Sequence, residues 1–171
     1  MNTNKALITM ASLLLSLSSY SQAEQVINWS ASLEQVKSEE RNKLLEQKGS
    51  NLTFETRLFD LAFHLEYVFN EQGELDNVLY YRSLDKNENT CVSDYTAIKN
   101  KVSTKYGTAK TEESIYNDKA KGSPDNVCLF AATGEYKLDT NWQGKTEDIN
   151  LVLNTWKGTP YIGLYYKKPS K

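Results

Sequence analysis

His64 is the one histidine in the chain. Any Ser-His-Asp relay would have to run through it, with a serine beside the imidazole and a carboxylate behind. It stands between Ala62 and Glu66 in an alternating stretch, on the less apolar side. No Gly-x-Ser-x-Gly turn that would expose an activated serine occurs. A solvent-facing strand histidine is the simpler reading. Paired carboxylates are the next chemistry to consider, since two of them can hydrolyse a glycosidic bond. Asp60 and Glu66 fall on one face of the same expected strand but about 20 Å apart at the rise of an extended chain. Glu39-Glu40 and Glu112-Glu113 read as solvated charges. One histidine and two cysteines make a poor zinc set, and no calcium-loop or phosphate-cradle pattern is present. The expectation is a non-enzymatic protein with no cofactor and no bound metal.

Two cysteines remain, Cys91 and Cys128. In an exported chain an even count points to one disulfide, and Cys-x-x-Cys redox spacing is absent. Two buried thiols are the alternative. Aromatic residues are the other notable group, with eleven tyrosines, three tryptophans and five phenylalanines. Tyr161, Tyr165 and Trp156 cluster near the C-terminus. Tyr80 and Tyr81 must point to opposite sides of a strand. Packing inside a sheet accounts for most such residues. Strict alternation nevertheless prevents Tyr81, Tyr161 and Tyr165 from all sharing the inner face with Tyr80, Ile162, Leu164 and Tyr166. Some aromatic surface is left outside, and tyrosine and tryptophan are common interface anchors. Tyr81, Trp156, Tyr161 and Tyr165 are therefore the candidate partner-binding residues.

These residues must be carried by elements that the spacing indicates. Ser32-Leu-Glu-Gln35 has the form of a capping box, and Leu33, Val36 and Leu44 fall near one helical face. The expected helix runs over 32–47, stopping at Gly49. Leu52 to Leu58 then alternates, and Phe59, Leu61, Phe63, Leu65, Tyr67 and Phe69 continue the period of two, a half-buried antiparallel strand. Asn70-Glu-Gln-Gly73 turns the chain into a partner strand, Leu75 to Arg82. Val92, Tyr95, Ile98, Val102 and Tyr106 mark a second helix that Gly107 closes. Residues 108–124 show no core pattern and read as an exposed connection. Asp125 is placed to cap a short helix through Ala132, with a strand as the alternative. A meander follows, with turns at Gln143-Gly-Lys145 and Lys157-Gly-Thr-Pro160 and a last strand from Tyr161 to Tyr166. The sum is an α+β domain of two layers: an antiparallel sheet with two or three helices packed on one face.

The N-terminus reads as a cleavable signal peptide over 1–23, followed by one domain over 24–171. Lys5 supplies a positive start, Ala6 to Leu17 a short apolar run, and Ser21 and Ala23 a small-residue cleavage site. A membrane anchor would need about 20 apolar residues, and Ser16, Ser18, Ser19 and Ser21 interrupt this run. No stable membrane insertion is expected. The formal net charge of the 171 residues is −2. That balance disfavours nucleic acid, which rewards a clustered basic face. The one basic cluster, Lys167, Lys168 and Lys171, reads as a frayed tail.

Trp29-Ser-Ala-Ser-Leu-Glu-Gln-Val36-Lys37, the strand pair ending Phe69-Asn-Glu-Gln-Gly-Glu-Leu75, and Tyr95 with Lys105-Tyr-Gly107 together resemble small secreted bacterial proteins. The order helix, hairpin, helix and meander is similar to small envelope proteins of the BamE type. That resemblance implies a binding scaffold in the periplasm. The chain departs from it in lacking a lipid-attachment cysteine, and no functional residue is carried across. Small size, export and surplus aromatics then point to a periplasmic or secreted protein-binding module, an inhibitor or immunity-type protein that neutralises another protein of the envelope. A homodimer is a second arrangement such a surface allows. An envelope assembly factor and a small hydrolase with an unrecognised site are the competing functions.

Overall fold

The computed structural model describes residues 27–118 and 126–169. The signal segment 1–23, Asp125 and Lys171 lie outside them. Three helices and an eight-stranded antiparallel sheet make up the described chain, an α+β arrangement. The helices are α1 (Leu33–Glu39), α2 (Cys91–Tyr106) and α3 (Val127–Thr133). The first four strands are β1 (Lys43–Lys48), β2 (Asn51–Leu58), β3 (Leu61–Phe69) and β4 (Leu75–Ser83). The second four are β5 (Thr111–Tyr116), β6 (Tyr136–Gln143), β7 (Asp148–Trp156) and β8 (Thr159–Lys167).

The sheet order is β1-β2-β3-β4-β8-β7-β6-β5. Each half is a four-stranded meander, and the halves join where β4 pairs with β8. Register fixes which residues share a face. Tyr80 stands opposite Leu65 on one side and Leu164 on the other, and Leu164 stands opposite Leu151. Phe54, Leu65, Tyr80, Leu164 and Leu151 thus form one row across five strands, and all are buried. Tyr80 meets Tyr166 edge-on at 6.0 Å, and Phe54 meets Tyr67 likewise at 5.9 Å. Edge-to-face geometry places the positive rim of one ring on the negative face of the other.

Helix–sheet contacts fall on residues of this same buried face. The Tyr95 hydroxyl of α2 bonds Thr140 Oγ1 at 2.7 Å and donates to the Leu151 carbonyl at 3.2 Å. Arg82 Nη1 lies 3.2 Å from Asp94 Oδ2, an ion pair without hydrogen-bond alignment. Thr155 Oγ1 donates to the Ala132 carbonyl of α3. Cys91, the first residue of α2, is bonded to Cys128 of α3 with Cα atoms 5.5 Å apart. The bond therefore ties the two helices together.

Four expectations from the sequence are corrected. The first helix does not run over 32–47; it ends at Glu39. Its capping box forms as read, with Gln35 N donating to Ser32 Oγ and Ser32 N to Gln35 Oε1. The expected apolar stripe, however, meets Glu40. That carboxylate accepts from the Tyr67 hydroxyl at 2.8 Å and from the Asn42 backbone N–H at 3.0 Å. A side chain that satisfies backbone outside the helix competes with helix continuation. Lys43 then lies opposite Glu55, and the chain pairs as β1 instead.

The expected connection over 108–124 contains strand β5. Every residue of β5 is exposed, so there is no buried–exposed alternation for a period-two reading to detect. Phe59 does not continue the inward row. With φ of 52° and 66°, Phe59 and Asp60 form the two-residue turn between β2 and β3. Mirror-image turns of this kind match strand twist. Asp60 thereby leaves the strand face it was expected to share with Glu66. Finally, Lys167 is not part of a frayed tail: it ends β8, opposite both Asn77 and Asp148.

Candidate binding face

The four aromatic residues named from the sequence fall on one side of the sheet, opposite the buried row. Alternation along β8 puts Tyr161, Gly163 and Tyr165 together, because Ile162, Leu164 and Tyr166 are buried on the other side. Tyr81 of β4 stands opposite Gly163, so it joins them. Trp156 stands opposite Thr159, one step of the same alternation beyond Asn154 and Tyr161. It is 69 % exposed, the most exposed of the large apolar side chains on this face.

Gly163 explains how two tyrosines four residues apart can cover one spot. A Cβ at this position would meet Tyr165 Cε2 at 2.8 Å and Tyr161 Cε2 at 3.2 Å. Both rings therefore lean over the bare backbone, and their hydroxyls come to 3.5 Å from each other. Val152, opposite Gly163 on β7, is covered as well and only 8 % exposed. On the other flank the His64 ring meets Tyr81 edge-on, with centroids 5.0 Å apart. Tyr81 is thus the centre of a half-exposed aromatic strip running from His64 to Tyr165.

Carboxylates border this strip. Glu55 stands opposite His64, and Glu66 opposite Leu79. Burial first, then Glu66 and Glu46, push the Tyr81 phenol above its ordinary range. Burial, then the hydroxyl and charge of Tyr161, then Glu66, push Tyr165 well above it. Both phenols keep their protons near neutrality and act as hydrogen-bond donors. At the far end Lys157 Nζ lies 5.6 Å over the Trp156 ring. Lys157 and Gly158, with φ of 50° and 79°, form the turn that projects Trp156.

Among the described residues no hydrogen bond joins His64 to a serine or cysteine, and its ring packs on that of Tyr81. Among the described residues no group of three or more His, Cys, Asp or Glu could hold a metal ion. No helix of the described residues is long and apolar enough to cross a membrane.

A second feature of this face was not legible. At the β6–β7 end lies an open depression of about 470 Å³, lined chiefly by polar side chains. Asp139 Oδ1 accepts from Asn141 Nδ2 at 2.8 Å and from Asn150 Nδ2 at 2.7 Å. The signal was in the sequence as Asp139-Thr-Asn141 and Asp148-Ile-Asn150, each a polar pair at spacing two. Within a strand such pairs serve as the solvated half of the alternation, so type alone did not separate them from ordinary surface. What marks them is the register that sets Asn141 opposite Asn150.

Comparison of the chain with protein-family models, with curated proteins and with solved structures finds no match.

Proposed function

We propose that the protein is an exported, non-enzymatic protein-binding module that uses the open face of its sheet to hold and neutralise a partner protein of the envelope. The observation that carries this reading is the gathering of Tyr81, Tyr161, Tyr165 and Trp156 on one face, away from the core. Large, rigid aromatics offer much contact area at little rotamer cost, and interfaces draw their energy from a few of them. A two-layer arrangement, with α1, α2 and α3 all on the other side of the sheet, leaves this face uncovered. The contacts of Tyr95, Asp94, Ala132 and Glu40 with buried-face strand residues favour it.

Cleavage after Ala23 and a periplasmic or secreted location belong to the same reading. The Cys91–Cys128 bond favours an oxidising compartment. The test is capture from envelope extracts of the producing cell with the disulfide-bonded protein as bait. A stoichiometric complex with one protein is expected, and Trp156→Ala should weaken it by about 2 kcal/mol, the scale of an interface anchor. A complex equally tight after replacement of all four aromatics, or no complex, would sink the reading.

A further inference from the structure

The two edges of the sheet are guarded unequally. At β1 the pairing with β2 slips by one residue between Leu44 and Glu46, and Lys43 and Lys48 bracket the strand. A bulge and edge lysines are common guards against pairing with another chain. β5 has neither. Its register with β6 runs unbroken from Thr111 to Tyr116, and the strand holds no lysine, arginine or proline. All of its residues are exposed, Ile115 to 59 %. We propose that β5 is the interface of a homodimer, in which two copies pair β5 with β5 antiparallel about a two-fold axis at Ser114 and continue one sheet across both.

The first argument is the backbone. The Asn117 N–H donates to the Glu135 carbonyl, one step beyond the Tyr116–Tyr136 pair in the same register. In an antiparallel ladder, alternate residues exchange bonds with the neighbouring strand. Residues 113 and 115 therefore bond toward β6, and Glu112 and Ser114 turn N–H and C=O to the outer edge. A second strand centred on Ser114 meets it with its own Ser114, as a pair that exchanges both bonds.

The second argument is register. A continuous sheet keeps each face on its own side, so β5 can shift against a copy of itself only in steps that preserve faces. Like charges directly opposite are destabilising. Centring on Glu113 would oppose that carboxylate to itself. Centring on Ile115 would carry Glu112 to Asp118. Centring on Ser114 does neither: Glu113 meets Ile115, and Glu112 meets Tyr116.

The third argument is charge. On one face Lys137 lies beside Ile115, and Asp139 beside Glu113. Each row across the junction then runs from Lys137 and Ile115 of one copy into Glu113 and Asp139 of the other, so opposite charges come from opposite copies. On the other face Glu112 is held by Lys99 of α2 at 2.9 Å and reaches the junction already paired. A two-fold contact of this kind closes on itself, the commonest form of homo-oligomer.

The experiment is light scattering coupled to gel filtration of the purified, disulfide-bonded protein alone, so the outcome does not depend on any envelope partner. A dimer with Kd of about 100 μM or tighter is expected, the weak end for a small interface. Ser114→Pro removes an outward N–H and leaves the β6 ladder its donors, as proline does on edge strands. It should raise the dimer Kd about tenfold or more. Ser114→Cys reads the register directly. Its Cα atoms would lie about 5.5 Å apart across the axis, within disulfide reach, so mild oxidation should crosslink two copies. Glu112→Cys, about 14 Å from its counterpart, should not crosslink. Cys91 and Cys128 are bonded to each other and do not compete. The cysteine variants also decide the matter if Ser114→Pro does not fold. A protein that stays monomeric to about 1 mM, which would leave the edge to a strand of another protein, would overturn the proposal. So would a dimer that Ser114→Pro leaves as tight, or crosslinking through Glu112→Cys as efficient as through Ser114→Cys.

Discussion

Gly163 lies where two tyrosine rings occupy the space a side chain would take. Gly163→Ala should therefore lift Tyr161 and Tyr165 from the sheet and cost about 1–3 kcal/mol, as overpacking does. Chemical denaturation would measure it; an unchanged midpoint would show that the rings are not held there. Buried phenols make the second case. Tyr95 is pushed well above its ordinary value of 10, chiefly by burial, and so is Tyr67, by burial and then by Glu40. The folded state favours the neutral phenol, so the unfolded chain loses its proton first as pH rises. Stability from these groups is complete below pH 10 and falls at more alkaline pH, through the raised folded values. Denaturation midpoints at successive pH values should be flat from these groups up to about 10 and decline beyond it. Tyr95→Phe should remove part of the decline and cost about 1–2 kcal/mol at neutral pH through the lost bonds to Thr140 Oγ1 and the Leu151 carbonyl.

Elements were legible in proportion to how much core they carry. The run from Phe63 to Phe69 and the face Tyr95, Ile98 and Val102 are buried at the spacing that identified them. The edge strands β1 and β5 are exposed throughout, so neither period could reveal them. Pairing with β2 and β6 makes them strands, and pairing is a long-range fact. Phe59 was misplaced for a related reason: its type suits the row, but the chain needs a turn there. Asp60 holds a φ of 66° that glycine adopts without penalty. Asp60→Gly is expected to raise stability by about 0.5–1 kcal/mol, read as a higher thermal midpoint. The disulfide was the easiest long-range contact to foresee, since the cysteines number two. It joins residues 37 apart. Reduction, or replacement of both cysteines by serine, should cost about 3–4 kcal/mol, mainly by freeing the unfolded chain.

At the scale of the molecule, strand alternation gives the sheet one face of buried rows and, in the proposed reading, an open side that carries the aromatic candidates. The aromatic candidates could be assigned to the open side by alternation alone, because Tyr80, Ile162, Leu164 and Tyr166 claim the inner positions. Gathering Tyr81 of β4 with Tyr161 and Tyr165 of β8 could not, because β4 and β8 are adjacent only through the joining of two meanders. The β3–β4 hairpin brings His64 to one flank of Tyr81, and the joining of the meanders brings Gly163 to the other.

The central claim is that this open face, not the helix side, meets a protein partner. A photo-crosslinking amino acid placed in producing cells at Tyr81, Tyr161 or Trp156, and at the exposed Lys101 of α2 as control, tests it most directly. The three sheet positions should yield one discrete adduct of common mass, and Lys101 none. Adducts from Lys101 alone, or no discrete adduct at any of the three sheet positions, would contradict the account.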